Sequence, residues 1–150
     1  DENRNWVAVA SYVIAGDMAV IPYGRGSRLA GIRLGGKGDV SKTHRIWTRT
    51  DTGSFVPTPC TDGKQVMLLR DSGEVQGIDP ATGKTLWEGR FPKHRAKYYA
   101  SPVVAGGNMY APREDGVLLV ASLKNGFKFQ LCPTVPHRAH SSQWTTCPIW

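Results

Sequence analysis

Side chains able to do chemistry fall into a few groups in this 150-residue chain. Near the C-terminus, Cys132, His137, His140 and Cys147 are zinc-ligand types spaced Cys-x4-His-x2-His-x6-Cys. Structural zinc sites pair their ligands at intervals of roughly two to four and three to five residues. This spacing is different, and the prolines at 133, 136 and 148 stiffen the segment, so no metal site is expected. The carboxylates of Asp17, Asp39, Asp62, Asp71, Asp79 and Asp115 all sit in turn-forming contexts, where a short acceptor bonds nearby backbone N–H groups. No Gly-x-Ser-x-Gly elbow is present, and His44 and His94 fall in loops without an evident catalytic partner. Gly24-Arg25-Gly26 and Gly35-Gly36-Lys37-Gly38 are glycine-rich but open no helix, so neither reads as a phosphate cradle. Three cysteines are too few, and odd in number, for a disulfide framework; Cys60 is expected to be a small buried hydrophobe.

The remaining group is basic. Arg90, Lys93, His94, Arg95 and Lys97 cluster in a chain of net charge +7, and ten of its twelve acids precede residue 89. Such a cluster favours anionic partners. A solvated loop is the preferred reading, and nucleic acid is not an expected partner.

The elements that must position these residues emerge from a repeat. The segment Asp71–Trp87, DSGEVQGIDPATGKTLW, reads as turn, alternating strand, turn and strand, closed by a large aromatic. Adding 43 takes Arg70 to Arg113, Gly73 to Gly116, Val75 to Leu118 and Gly83 to Gly126. The same shift takes Pro57-Thr58-Pro59-Cys60 to Ala100-Ser101-Pro102-Val103. Subtracting 46 takes Val75–Ile78 to Leu29–Ile32, and a longer loop then brings Ile46-Trp47 opposite Leu86-Trp87. Seventeen glycines and ten prolines punctuate the chain, and neither a helical apolar stripe nor a membrane-spanning run is evident. About three copies of a four-strand unit of roughly 43 residues are the signature of β-propeller blades.

GIDPATGKTLW, followed by ASPVVAGGNMYAPREDGVLLV, resembles the repeat of the pyrroloquinoline-quinone-like (PQQ-like) β-propeller family, over about residues 6–130. That family includes quinoprotein dehydrogenases and a non-catalytic outer-membrane assembly lipoprotein. The resemblance implies that Asp79, Thr82, Gly83, Lys84 and Trp87, with Trp47 one copy earlier, staple one blade to the next. In the family's enzymes the quinone lies on the ring axis over a tryptophan, with Ca²⁺ and a carboxylate base. Here the acids are committed to turn signals, and the adjacent cysteine pair of many such dehydrogenases is missing. Trp47 and Trp87 are therefore read as packing residues.

The expectation is an all-β chain: about three four-stranded antiparallel blades, near 6–49, 55–89 and 98–131, of an incomplete ring, then an off-pattern, irregular tail at 132–150. Stacked blades shelter each other's apolar faces, so an open arc is expected to self-associate through its end faces. The expected function is a non-catalytic protein-interaction or scaffold module without cofactor, in a periplasmic or extracellular bacterial protein, with no signal pattern at Asp1–Trp6 because the chain reads as starting within a repeat. The alternative is part of a quinone- and Ca²⁺-dependent dehydrogenase of alcohols or sugars. Arg90, Lys93, Arg95 and Lys97, with the long 34–43 loop, are the expected contacts for a protein partner.

Overall fold

A computed structural model describes residues 8–25 and 27–130. The tail at 132–150, with its Cys and His residues, lies outside the described residues, as do the first residues of the expected strand at 6–15. No helix occurs among the described residues.

Among the described residues, twelve strands form three four-stranded sheets, each ordered as in sequence and antiparallel throughout. The first contains β1 (Val13–Ala15), β2 (Met18–Tyr23), β3 (Arg28–Arg33) and β4 (Arg45–Arg49). The second contains β5 (Cys60–Thr61), β6 (Val66–Leu69), β7 (Glu74–Ile78) and β8 (Thr85–Arg90). The third contains β9 (Val103–Ala105), β10 (Asn108–Pro112), β11 (Leu118–Ser122) and β12 (Lys128–Gln130). Among the described residues no sheet closes on itself, and the architecture is that of an incomplete β-propeller.

The innermost strands are shorter than the sequence pattern predicts. Residues 6–15 read as one strand or two joined by a bend, yet β1 begins at Val13. The sequence likewise reads Val56–Thr61 as a strand, yet pairing is confined to Cys60–Thr61, because Pro57 and Pro59 supply no N–H to a ladder.

Strand alternation builds the two cores. Every residue of β6 is buried, as expected of a strand covered on both faces. Val66, Leu68 and Ile78 join Ala15, Val20 and Leu29 of the first sheet. Met67, Leu69 and Val75 point the other way and join Met109, Ala111, Leu119 and Ala121 of the third. Fully burying each of the Val, Leu, Ile and Met side chains among these contributes about 1.5–3 kcal/mol.

Candidate functional site at the sheet junctions

The aromatic that closes each outer strand is set by a register. In the first sheet Gly31 pairs with Trp47, and the register shifts between Gly31 and Ile32. In the second, Gly77 pairs with Trp87, with the same shift between Gly77 and Ile78. The two indoles lie flat on their glycines. A Cβ at Gly31 would sit 2.2 Å from Trp47 Cε2, and one at Gly77 would sit 2.2 Å from Trp87 Cε2. Both positions therefore exclude any side chain.

Trp47 reaches across to the second sheet. Its indole N–H donates to Pro80 O at 2.8 Å, and its ring covers Gly83, where a Cβ would fall 2.6 Å from Trp47 Cδ2. Gly83 also has φ +72°, a region that glycine occupies without steric cost. Arg49 Nη1 follows the same path, donating to Gly83 O at 3.1 Å and to Thr85 Oγ1 at 2.8 Å.

The receiving turn is built by Asp79. Its Oδ2 accepts from Thr82 Oγ1 at 2.6 Å and its Oδ1 from Ala81 N at 3.0 Å. Its backbone N–H donates to Lys84 O at 2.9 Å, and its carbonyl accepts from Gly83 N at 2.8 Å. The Thr82 hydroxyl, then the backbone N–H groups, hold the Asp79 carboxyl below its ordinary range. Asp79, Thr82 and Gly83 thus shape the socket for Trp47. Lys84 contributes its backbone, and its side chain is exposed.

Trp87 docks by different means. Its indole N–H stays within its own sheet, donating to Gln65 Oε1 at 2.7 Å. Its ring stacks on Phe127, centroids 6.1 Å apart. Phe127 meets Phe91 edge-on at 5.1 Å, and Phe91 also contacts Tyr98 and Phe129. On the outward face of the third sheet Val120 pairs with Gln130 at the register occupied by Gly77 and Trp87 one sheet earlier. The indole-on-glycine pair is thus absent there.

A second tie runs along the inner strands and is not prominent in the sequence. Ser11 N donates to Thr58 Oγ1 at 3.0 Å, and Thr58 N donates to Ser101 Oγ at 3.0 Å. A single hydroxyl per repeat, ahead of the Thr58-Pro59 and Ser101-Pro102 prolines, links each inner strand to its neighbour.

The remaining candidates are dispersed. Arg90 pairs with Glu74 at 2.8 Å, Lys93 and Arg95 are exposed, and Lys97 binds Glu114 through its backbone N–H. Asp17 faces Arg33, Asp39 caps Ser41, Asp62 caps the turn at Lys64 and Gln65, and Asp115 grips Arg113. Burial pushes the Cys60 thiol up to about 12, so it is not a nucleophile at neutral pH. Among the described residues no three His, Cys, Asp or Glu side chains converge on a point where a metal could sit. The many-oxygen donor set that Ca²⁺ needs is not assembled by these residues, and no step through a quinone or Ca²⁺ follows from them.

Three stacked four-stranded sheets joined by indole docks agree with a profile match. The profile of the family described as outer membrane protein assembly factor BamB matches residues 9–89 and, in a second overlapping placement, 40–144. The chain belongs to this BamB-like family of PQQ-like propeller repeats. Solved structures share the fold. BamB from Moraxella catarrhalis superposes with a TM-score of 0.60 at 17% identity, covering 83% of this chain and 39% of that one. A europium-containing methanol dehydrogenase gives 0.62 at 12% identity, covering 79% of this chain and 23% of its own. Quinohemoprotein alcohol dehydrogenase from Comamonas testosteroni gives 0.61 at 16% identity, covering 83% and 20%. The BamB-like chain therefore spans less than half the length of these relatives. No curated protein matches it in sequence.

Proposed function

We propose that this chain is part of a non-catalytic interaction module, a BamB-like propeller segment presenting loops to a protein partner outside the bacterial cytoplasm, in the periplasm or beyond the cell. One observation carries the reading: among the described residues, most of the side chains that could do chemistry are engaged in building turns and junctions. Asp79 and Thr82 shape a socket, Trp47 fills it, Trp87 enters an aromatic core, and Asp115 holds Arg113. The linker from β8 to β9 instead presents Lys93 and Arg95, with no ion pair among the described residues, at one end of the sheets. Loops on a rigid scaffold are where partners are usually bound. The similarity to BamB supports a protein partner and an extracytoplasmic setting. The fold itself is shared with dehydrogenases and does not choose between them.

The test is titration of the whole chain with pyrroloquinoline quinone and Ca²⁺, followed by dye-linked oxidation of alcohols and sugars. The module reading expects no saturable quinone binding and no turnover. Saturable binding with turnover would establish the dehydrogenase reading instead. Should the basic linker bind nucleic acid, affinity would fall steeply with salt.

A further inference from the structure

At the end of the sheets where β2 turns into β3, four segments distant in sequence enclose a cleft of about 280 Å³. Arg25 comes from that first-sheet hairpin, Gly53 and Phe55 from the linker between the first two sheets, Arg70, Asp71 and Ser72 from the second-sheet hairpin, and Lys97 and Tyr99 from the basic linker. Three cations thus face one carboxylate. Among the described residues neither the Arg25 guanidinium nor the Lys97 ammonium forms an ion pair; Arg25 lies over the Phe55 ring, 5.8 Å from its centroid. Arg70 is already engaged: its Nη1 lies 3.8 Å from Glu74 Oε2, and its Nη2 donates to Asp51 O and Thr52 Oγ1 at 3.2 Å, so the unpaired charge of the cleft is that of Arg25 and Lys97.

Two further features set this cleft apart. Arg25, at φ +57°, is the one non-glycine described residue in the left-handed region, where a side chain costs on the order of 1 kcal/mol or more. A hairpin tip built only for stability would carry glycine or asparagine there. Two of the lining residues, Arg70 and Asp71, also carry Arg70 Nε and Asp71 Oδ1, two of the three buried side-chain polar atoms without a hydrogen-bond partner among the described residues. Such atoms are few in folded proteins, and each calls for an explanation.

We propose that this cleft binds an acidic segment of polypeptide, a carboxylate between Arg25 and Lys97 with a neighbouring apolar side chain against Phe55 and Tyr99. The volume suits a few side chains. The excess positive charge selects a carboxylate, the aromatic walls select an apolar neighbour, and Asp71 disfavours a polyphosphate. The inference rests on the interaction-module reading and gives it a ligand chemistry.

The probe is a capped peptide alternating Glu and Phe, compared with its Gln-for-Glu counterpart and with inorganic pyrophosphate, each titrated into the whole chain. Arg25→Gly removes the charge and the left-handed strain together, so its melting temperature should be unchanged or higher. Lys97→Met removes the second charge. Losing one charge-assisted hydrogen bond should weaken Glu-peptide binding about tenfold in each variant. The Gln peptide and pyrophosphate should bind more weakly than the Glu peptide. Equal binding of the Gln peptide, tighter binding of pyrophosphate, or native affinity in both variants overturns the cleft. Those failures leave the module reading standing, since quinone turnover decides that separately.

Discussion

The two junctions share a register and differ in chemistry. Between the first and second sheets the core is small: Ala15, Val20, Leu29, Val66, Leu68 and Ile78 are buried, with Val13 and Trp47 at its edge. Polar contacts supplement it, with Trp47 on Pro80 O and Arg49 on Gly83 O and Thr85. Between the second and third sheets eleven buried residues among those described, including Phe91, Tyr98, Met67 and Met109, make a larger core. There the Trp87 indole N–H is satisfied within its own sheet and the ring stacks on Phe127. The switch traces to the receiving turn. Where the second sheet has Asp79, Pro80, Gly83 and Lys84, the third has Ser122, Leu123, Gly126 and Phe127. An exposed lysine gives way to a phenylalanine that fills the space beside the incoming tryptophan. One repeat therefore supports a polar socket or an aromatic core, according to a few turn residues.

The largest effect is expected at the aromatic junction. Phe91 is fully buried among three rings, so Phe91→Ala should destabilise by about 4 kcal/mol in urea unfolding. A loss under about 1 kcal/mol would mean that the second core is not built around this ring. Gly77→Ala and Gly31→Ala should each cost about 3 kcal/mol, because a methyl group 2.2 Å from an indole carbon must displace it. Wild-type stability in either variant would show that the indole does not lie on its glycine.

The tryptophans come next. Both are half-buried, which places Trp87→Ala and Trp47→Ala near 3 and 2 kcal/mol, at and below the low end of the usual range. The two should differ in kind. Phe91 and Phe127 remain to hold the second junction without Trp87, whereas little apolar surface remains to hold the first without Trp47. Melting followed by near-ultraviolet circular dichroism should broaden or split for Trp47→Ala and stay single for Trp87→Ala. The reverse pattern would invert the ranking of the junctions.

The smallest effect is electrostatic. The Asp79 carboxyl is held low by Thr82 and backbone donors in the folded state. A depressed folded value contributes stability that is present above the unfolded pKa, ordinarily about 4, and is lost as pH falls through the folded value. Asp79→Asn should therefore flatten the acid-side loss of stability, seen by denaturant unfolding from pH 5 downward. An unchanged slope would remove Asp79 from the acid sensitivity of the first junction.

Much of this was legible in the sequence. The 43-residue spacing carried the sheet order. Trp47 and Trp87 read as packing residues from their place at the end of a repeat, whereas the glycines they cover, Gly31 and Gly77, carry no such mark in the sequence. Other features were hidden for physical reasons. Pro57 and Pro59 fall in a segment that reads as strand, and their missing N–H groups confine pairing to two residues of β5. The Ser11–Thr58–Ser101 tie was only half visible: the 43-residue shift places Thr58 on Ser101, but the sequence does not show which backbone N–H each hydroxyl accepts from. The change of docking mode follows the replacement of Lys84 by Phe127 in the receiving turn, but only the packed sheets place Phe127 against the incoming tryptophan. The cleft at Arg25 and Lys97 is assembled from four segments that no spacing connects.

Native-state hydrogen exchange of the whole chain tests the central claim most directly: three sheets are stacked through two unequal junctions, the first held by a tryptophan socket and the second by an aromatic core. Amides of β2 and β3 should exchange through an opening of lower free energy than those of β6, β7, β10 and β11, and Trp47→Ala should lower the first set alone. Uniform protection across all three sheets, or first-sheet amides more protected than the rest, would contradict it.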